Sequence, residues 1–268
     1  MKVCKNRFDS SNFIDRGGFG CVYLGSFNGQ KVAVKVSRNK AEQQRTQFVA
    51  EIKYLPGLQH PNIIRLTGYY EAPDRFYLVY PYMKNGNVKN KLQELDWSKT
   101  LKIIKGTARA IEELHRNSLI YRDLKPENIL LDKDFTPKLT DFGTVTPEGE
   151  YLQRFSEGYT DPVIADGAAG TKPNDIYSLG VVILQLIMKE EKVTVPGSVA
   201  SNHIRDWARS SYDSERKHAV DQKLIQKGCR RQAARAITLL GLDCVSDNTE
   251  ERPTIAQVLL RLGDLEGN

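Results

Sequence analysis

The chain has 268 residues, 40% of them hydrophobic and 27% charged, and its 39 Lys+Arg against 33 Asp+Glu leave a net charge of +6. That length suits one large domain or two smaller ones, able to bury about three quarters of the unfolded chain's surface. The modest basic surplus reads as a solvated surface, and with no matching motif it excludes nucleic acid as the expected partner.

Cys4, Cys21, Cys229 and Cys244 are scattered without a CxxC pair, which fits reduced thiols of a cytosolic protein rather than a disulfide framework. The longest apolar stretch, residues 181–188, is interrupted by Gln185 and is too short to span a bilayer. The first residues show no secretory h-region, and Lys2 stands where myristoylation needs Gly. Cys4 beside two lysines reads as a plain exposed thiol. A cytoplasmic protein is expected, or the cytoplasmic part of a membrane-spanning parent.

In chain order, the first eighty residues read as strands interrupted by one helix. Arg16-Gly17-Gly18-Phe19-Gly20-Cys21-Val22-Tyr23 places a glycine turn between two strands, where the main chain can approach phosphates and offer them N–H groups. Alone, that segment fits an ordinary hairpin equally well. Residues 32–36 and 76–80 are β-branched and aromatic runs of strand type. Between them, residues 41–55 predict a helix with Phe48, Ile52 and Leu55 at helical spacing. A Lys ending an apolar strand ordinarily snorkels to the surface. Lys35, however, follows the glycine loop and precedes a helix carrying Glu51, which favours an ion pair with Glu51 and contact with phosphates. From about Val88 the pattern turns helical. Residues 97–115 align Leu101, Ile104, Ala108, Ile111 and Leu114 on one stripe, and residues 175–188 and 233–244 form further apolar helices. No repeat or low-complexity linker appears. An α+β domain is expected, with a small β-rich lobe (residues 1–82) joined at Tyr82-Met83-Lys84-Asn85-Gly86 to a larger helical lobe (residues 83–268).

The chemistry concentrates in Tyr121-Arg122-Asp123-Leu124-Lys125-Pro126-Glu127-Asn128 and in Asp141-Phe142-Gly143. Asp123 supplies a proton acceptor, Asn128 and Asp141 supply metal ligands, and Lys125 brings a charge for a phosphate. Phosphoryl transfer needs this equipment: positioning, and cations against the developing charge.

Both motifs, in this order, resemble the catalytic and metal-binding loops of eukaryotic protein kinases. The chain resembles that family over nearly its whole length, and specifically the plant receptor-like kinases with their animal Pelle and interleukin-receptor-associated relatives. The marks are Asn12-Phe13-Ile14, His60-Pro61-Asn62-Ile63-Ile64, Leu78-Val79-Tyr80-Pro81-Tyr82-Met83-Lys84-Asn85-Gly86, Gly158-Tyr159-Thr160-Asp161-Pro162, Asp175-Ile176-Tyr177-Ser178-Leu179-Gly180-Val181-Val182, and Cys244-Val245 ahead of Arg252-Pro253-Thr254. Lys125-Pro126-Glu127-Asn128 has the Ser/Thr form of the catalytic loop.

The resemblance implies a bilobal kinase fold, ATP and Mg2+ as cofactors, protein substrates, and an upstream receptor or kinase as partner. It implies that Lys35 and Glu51 pair in the assembled state, that Asp123 accepts or orients the substrate hydroxyl proton, and that Lys125 steadies the γ-phosphate. Asn128 and Asp141 would hold magnesium, and Gly17, Gly18 and Gly20 would lie over the phosphates. Tyr80 takes the gatekeeper position. The main chain of Pro81 and Met83 would contact adenine, between Val22, Ala33 and Leu130. Leu55, Leu66, Tyr121 and Phe142 would stack into a column coupling the lobes, a role that coincides with ordinary core packing.

Three positions depart from the family. Asp15 replaces the loop's first glycine, Tyr121 stands where His is usual, and Val163 replaces the glutamate that normally pairs with the arginine matched by Arg252. Losing one partner of a buried pair costs ~3–5 kcal/mol, so Arg252 should turn to solvent or recruit another carboxylate, with Asp161 and Asp166 nearest in sequence. The segment from Thr144 to Thr160 is short. Arg122 implies that a negative group orders it: a phosphate, for which Thr146 and Ser156 are the first acceptors, or Glu148 or Glu150 in its place. The leading reading is an active Ser/Thr protein kinase; the alternative is a pseudokinase scaffold or decoy, fed by Asp15, Val163 and the short loop. Small-molecule phosphotransfer is disfavoured because Gly158-Tyr159-Thr160-Asp161-Pro162 resembles a peptide-binding segment.

Overall fold

Alternation along one strand decides which side chains meet the site. The computed structural model describes residues 10–151, 156–162, 169–194, 203–214 and 216–265. Strands β1 (Phe13–Arg16), β2 (Gly20–Phe27), β3 (Gln30–Ser37), β4 (Gly68–Glu71) and β5 (Phe76–Pro81) form one antiparallel sheet in the order β1-β2-β3-β5-β4. On β3, Val32, Val34 and Val36 cluster with Val79 of β5. A period of two then turns Ala33 and Lys35 to the opposite face. The short edge strand β4, Gly68-Tyr69-Tyr70-Glu71, is mostly exposed, and the sequence reading passed over it for lack of an apolar alternation.

Helix α1 (Glu42–Tyr54) covers the sheet with Phe48, as its spacing suggested, but most of its buried face is polar. Its buried positions are Gln44, Gln47, Phe48 and Glu51; Ile52 is half-buried, and Leu55 lies just past the helix. The buried face is largely polar because the helix packs against the turn after Asp141, where a Cβ on Gly143 would come within 2.8 Å of Gln47.

Past the hinge, the chain forms helices α2 (Val88–Lys91), α3 (Trp97–Arg116), α4 (Lys172–Met188), α5 (Ile204–Asp213), α6 (Gln222–Gln226), α7 (Arg231–Cys244) and α8 (Ile255–Asp264). Two small antiparallel pairs sit above them, β6 (Leu119–Ile120) with β9 (Thr146–Pro147) and β7 (Ile129–Leu131) with β8 (Pro137–Leu139). The apolar stripe of α3 is buried throughout, and Asp96 caps the helix by accepting from the Lys99 N–H at 2.8 Å. Helix α4 is buried continuously from Asn174 to Ile187. It meets α7 closely because a Cβ on Gly180 would lie 2.6 Å from the Cys244 Cβ. Helix α8, unread from its periodicity, carries a Thr254–Gln257 capping box that the sequence displays. The architecture is the expected α+β one: an antiparallel sheet with one helix, then a helical lobe. Among the described residues no helix is long and apolar enough to cross a membrane.

Candidate active site

A cavity of about 690 Å³ opens between the sheet and the helical lobe. Every site residue expected from sequence lines it except Glu51 and Asp123. Its roof is the β1–β2 turn. Gly17 N–H donates to the Gly20 carbonyl at 2.9 Å, and Gly20 is required by closeness, since a Cβ there would lie 1.8 Å from the Val36 oxygen. Asp15 accepts from the Arg16 N–H at 2.7 Å, an exposed bond local to β1. Phe19 folds inward, with the Lys35 ammonium 4.8 Å from its ring centre. Sequence reasoning gave Phe19 no role.

Lys35 Nζ lies 2.8 Å from Glu51 Oε1 and 2.7 Å from Asp141 Oδ1, joining α1 to the turn after β8. Burial works against the lysine's charge, but the Asp141 and Glu51 carboxylates outweigh it and raise its pKa. The Tyr80 hydroxyl donates to the other Glu51 oxygen, so the fully buried carboxylate is bonded through both oxygens. Burial pushes the Tyr80 hydroxyl far above its usual pKa, and Glu51 adds to the shift. Asp141 adopts φ 58°, a left-handed conformation that a non-glycine residue keeps only when its surroundings enforce it. Phe142, fully buried, packs edge-on against Tyr121 with ring centres 5.6 Å apart; Leu55 and Leu66 join the same core.

Beneath the cavity, Asp123 is held by its neighbours. Lys125 Nζ lies 2.8 Å from Asp123 Oδ2, Asn128 Nδ2 donates to the Asp123 carbonyl at 2.7 Å and to Oδ2 at 3.0 Å, and the Ser156 hydroxyl donates to Oδ1. Lys125 also donates to the Ser156 oxygen at 2.8 Å. With its amide nitrogen on Asp123, Asn128 keeps its carbonyl oxygen for another partner. That oxygen and the Asp141 carboxylate make a hard, oxygen-only donor pair. No cluster of three acidic, His or Cys groups suited to a metal occurs among the described residues. A divalent ion that keeps waters and phosphate oxygens in its shell fits such a pair.

Asp175, unassigned from sequence, supports the catalytic loop from below. Its carboxylate accepts from the Tyr121 N–H at 2.9 Å and the Arg122 N–H at 2.8 Å, and lies 2.9 Å from His115 Nε2. It thereby enforces the left-handed Arg122 backbone, φ 73°. A buried Asp at the start of an apolar helix was the available signal.

The loop expectations divide. Arg252 recruits Asp161: Nη2 lies 3.1 Å from Oδ1, and Nη1 bonds Oδ2. Val163 and Asp166 lie outside the described residues. Neither acidic stand-in bonds Arg122 through its carboxylate. Glu148 pairs with Lys172 at 3.3 Å, while Arg122 donates to the main-chain carbonyl of Glu150. Thr146, one of the two first phosphate acceptors, is buried in β9 opposite Ile120, and Ser156 is engaged with Asp123 and Lys125.

A two-lobed fold with a glycine-roofed cleft, a lysine bridging two carboxylates, and an Asp–Lys–Asn cluster at its floor defines a nucleotide-dependent phosphotransferase. The protein kinase domain model matches residues 8–261. The chain is 35% identical over 98% of its length to the probable serine/threonine-protein kinase PBL21 of Arabidopsis thaliana, covering 74% of that protein. It is 35% identical to the serine/threonine-protein kinase CDG1 of the same plant, over 97% of this chain and 65% of that one. It is 31% identical to the EPD1-interacting receptor-like cytoplasmic serine/threonine-protein kinase of Nicotiana benthamiana, over 98% and 62%. Against other receptor-like relatives it spans as little as 33% of their length. The chain belongs to the protein kinase family, in the plant receptor-like group. It is a protein kinase, with ATP, a divalent metal and protein substrates as such domains use them, and nothing among these relatives favours the scaffold reading.

Proposed function

We propose that residues 1–268 form one catalytic domain, with lobes meeting at 82/83, that transfers the γ-phosphate of ATP to Ser and Thr hydroxyls of protein substrates in cytoplasmic signalling below a receptor or another kinase. The observation that carries this reading is Lys35 held at once by Glu51, 2.8 Å away, and Asp141, 2.7 Å away, while Asp123 stands fixed by Lys125 and Asn128. Asn128 and Asp141 would hold Mg2+, whose charge offsets that developing on the transferred phosphoryl group.

The chain's own residues account for the remaining work. The Gly17, Gly18 and Gly20 main chain covers the phosphates, and Val22, Ala33 and Leu130 enclose the adenine beside Tyr80. The Pro81 carbonyl and the Met83 main chain address its edge; proline's missing N–H costs nothing where only a carbonyl is needed. Lys35 steadies the phosphates from above and Lys125 from below. Asp123 orients the acceptor hydroxyl and takes its proton. The Ser/Thr relatives and the Lys125-Pro126-Glu127-Asn128 form of the loop support the acceptor class. The test is incubation with labelled ATP and Mg2+, wild type beside Asp141→Asn, followed by phosphosite mapping. Label on Ser and Thr in wild type alone is the expected result; predominant phosphotyrosine, or equal labelling of both proteins, refutes it.

A further inference from the structure

Between Phe142 and Thr171 the sequence offers six hydroxyls: Thr144, Thr146, Tyr151, Ser156, Tyr159 and Thr160. Five have places inside the fold. Thr144 donates to the Tyr121 carbonyl at 3.1 Å and Thr160 to the Ser156 carbonyl at 2.9 Å. Tyr159, buried, donates to Gln185 at 2.6 Å, Thr146 is enclosed in β9, and Ser156 is bonded to Asp123. Only Tyr151 stands free in solvent, 73% exposed, and it is a phenol, outside the reach of Ser/Thr self-phosphorylation.

The group that a loop phosphate would serve is meanwhile engaged at Nη2, while its Nε is buried without a hydrogen-bond partner. Arg122 donates to the Glu150 carbonyl. That carbonyl is fixed in turn by the Gly170 N–H at 3.2 Å, and the Gly149 N–H donates back to the Gly170 carbonyl at 2.9 Å. The Glu148 N–H donates to Ser118 at 3.0 Å, and its carboxylate pairs with Lys172. Gly170 lies tight against the guanidinium: a Cβ there would lie 2.5 Å from Arg122 Nη2 and 2.7 Å from Nε, so an added side chain would displace the arginine's flexible end.

We propose that residues 148–150 and Gly170 form a main-chain clamp on Arg122 that positions the adjoining Asp123 without a phosphate on the loop, so that this kinase is fully active unphosphorylated. The inference rests on the function proposed above. Gly170 and Glu150 act through Arg122 and are positioning residues, not catalytic ones. Burial lowers the Arg122 pKa, and the charges of Asp175 and of the Glu150 carboxylate counter it only in part.

The first test treats purified protein with a broad-specificity phosphatase, confirms zero phosphates by intact mass, and follows phosphorylation of a generic peptide by Mg-ATP from time zero. A linear progress curve at a rate within about twofold of untreated enzyme is expected. A tenfold lower rate, or a lag that tracks the return of loop phosphate, overturns the clamp while leaving the kinase function standing. Inactivity in both states overturns the two together. The second test is Gly170→Ala, read by kcat and KM with the melting temperature as a folding control. The expected loss is about tenfold in kcat, equivalent to about 1.4 kcal/mol, with KM for ATP unchanged. In an Arg122→Ala background the same substitution should cause no further loss. Equal losses in both backgrounds would show that Gly170 does not act through Arg122.

Discussion

Asp161→Asn tests the compensation for Val163 most directly. Asp161 is fully buried and the Arg252 side chain is 1% exposed, so the substitution leaves a guanidinium in a low-dielectric site with no counter-charge from that residue. Breaking a buried pair in this way costs ~3–5 kcal/mol. Two carbonyls remain for Arg252, Ser246 at 2.8 Å from Nε and Pro173 at 3.1 Å from Nη1, and the guanidinium lies 5.0 Å from the Tyr177 ring centre. The loss should therefore fall near the lower bound, about 3 kcal/mol, or about 6 °C in melting temperature for a chain of this length. Asp161 also accepts from the Asn174 amide, and Asn174 closes the capping box of α4 one residue before Asp175. Activity should fall along with stability, because Asp175 holds the Tyr121 and Arg122 amides. Replacing both members of the pair by apolar residues should recover much of the stability and little of the activity. Differential scanning fluorimetry over the double-mutant cycle measures the coupling. A shift under about 2 °C for Asp161→Asn, or a coupling under about 1 kcal/mol, would refute the reasoning. Val163→Glu should accordingly raise the melting temperature by no more than about 2 °C, without lowering activity.

Lys35→Met should fold and lose phosphotransfer, because a preorganised cation is worth several kcal/mol of transition-state stabilisation; phosphorylation of a generic substrate at the wild-type rate would contradict the assignment. Tyr80→Phe removes one donor from the buried Glu51 carboxylate and should destabilise the protein by about 1–2 kcal/mol, measurable by urea unfolding. Lys189 ends α4 at φ 55° and donates to the Leu92 and Leu95 carbonyls, both at 2.7 Å. Lys189→Gly should relieve about 1 kcal/mol of backbone strain yet lose more through two unsatisfied carbonyls, for a net destabilisation of about 2 kcal/mol in the same assay.

Much of this protein follows from short spans of its sequence. The glycine turn, the alternation that turns Ala33 and Lys35 to one face, and the 97–115 stripe are each set by the fixed geometry of strand or helix over a few residues. The Asp123–Asn128 spacing is equally local, because a few residues of chain confine those groups to one small volume. Elements without such a local pattern escaped notice: β4 is an exposed edge, and α6 is too short to show a period. The partners of buried charges were settled by tertiary structure. Arg252 joins Asp161 from 91 positions away, and Asp175 takes the Arg122 amide from 53. Glu148 goes to Lys172 and leaves Arg122 to a carbonyl that any residue at position 150 would supply. Thr146, read as a phosphate acceptor, is enclosed because β9 pairs with β6. A buried charge bonds to whatever polar group the packed fold brings within about 3 Å, and that proximity is a property of the assembled chain rather than of any segment of it.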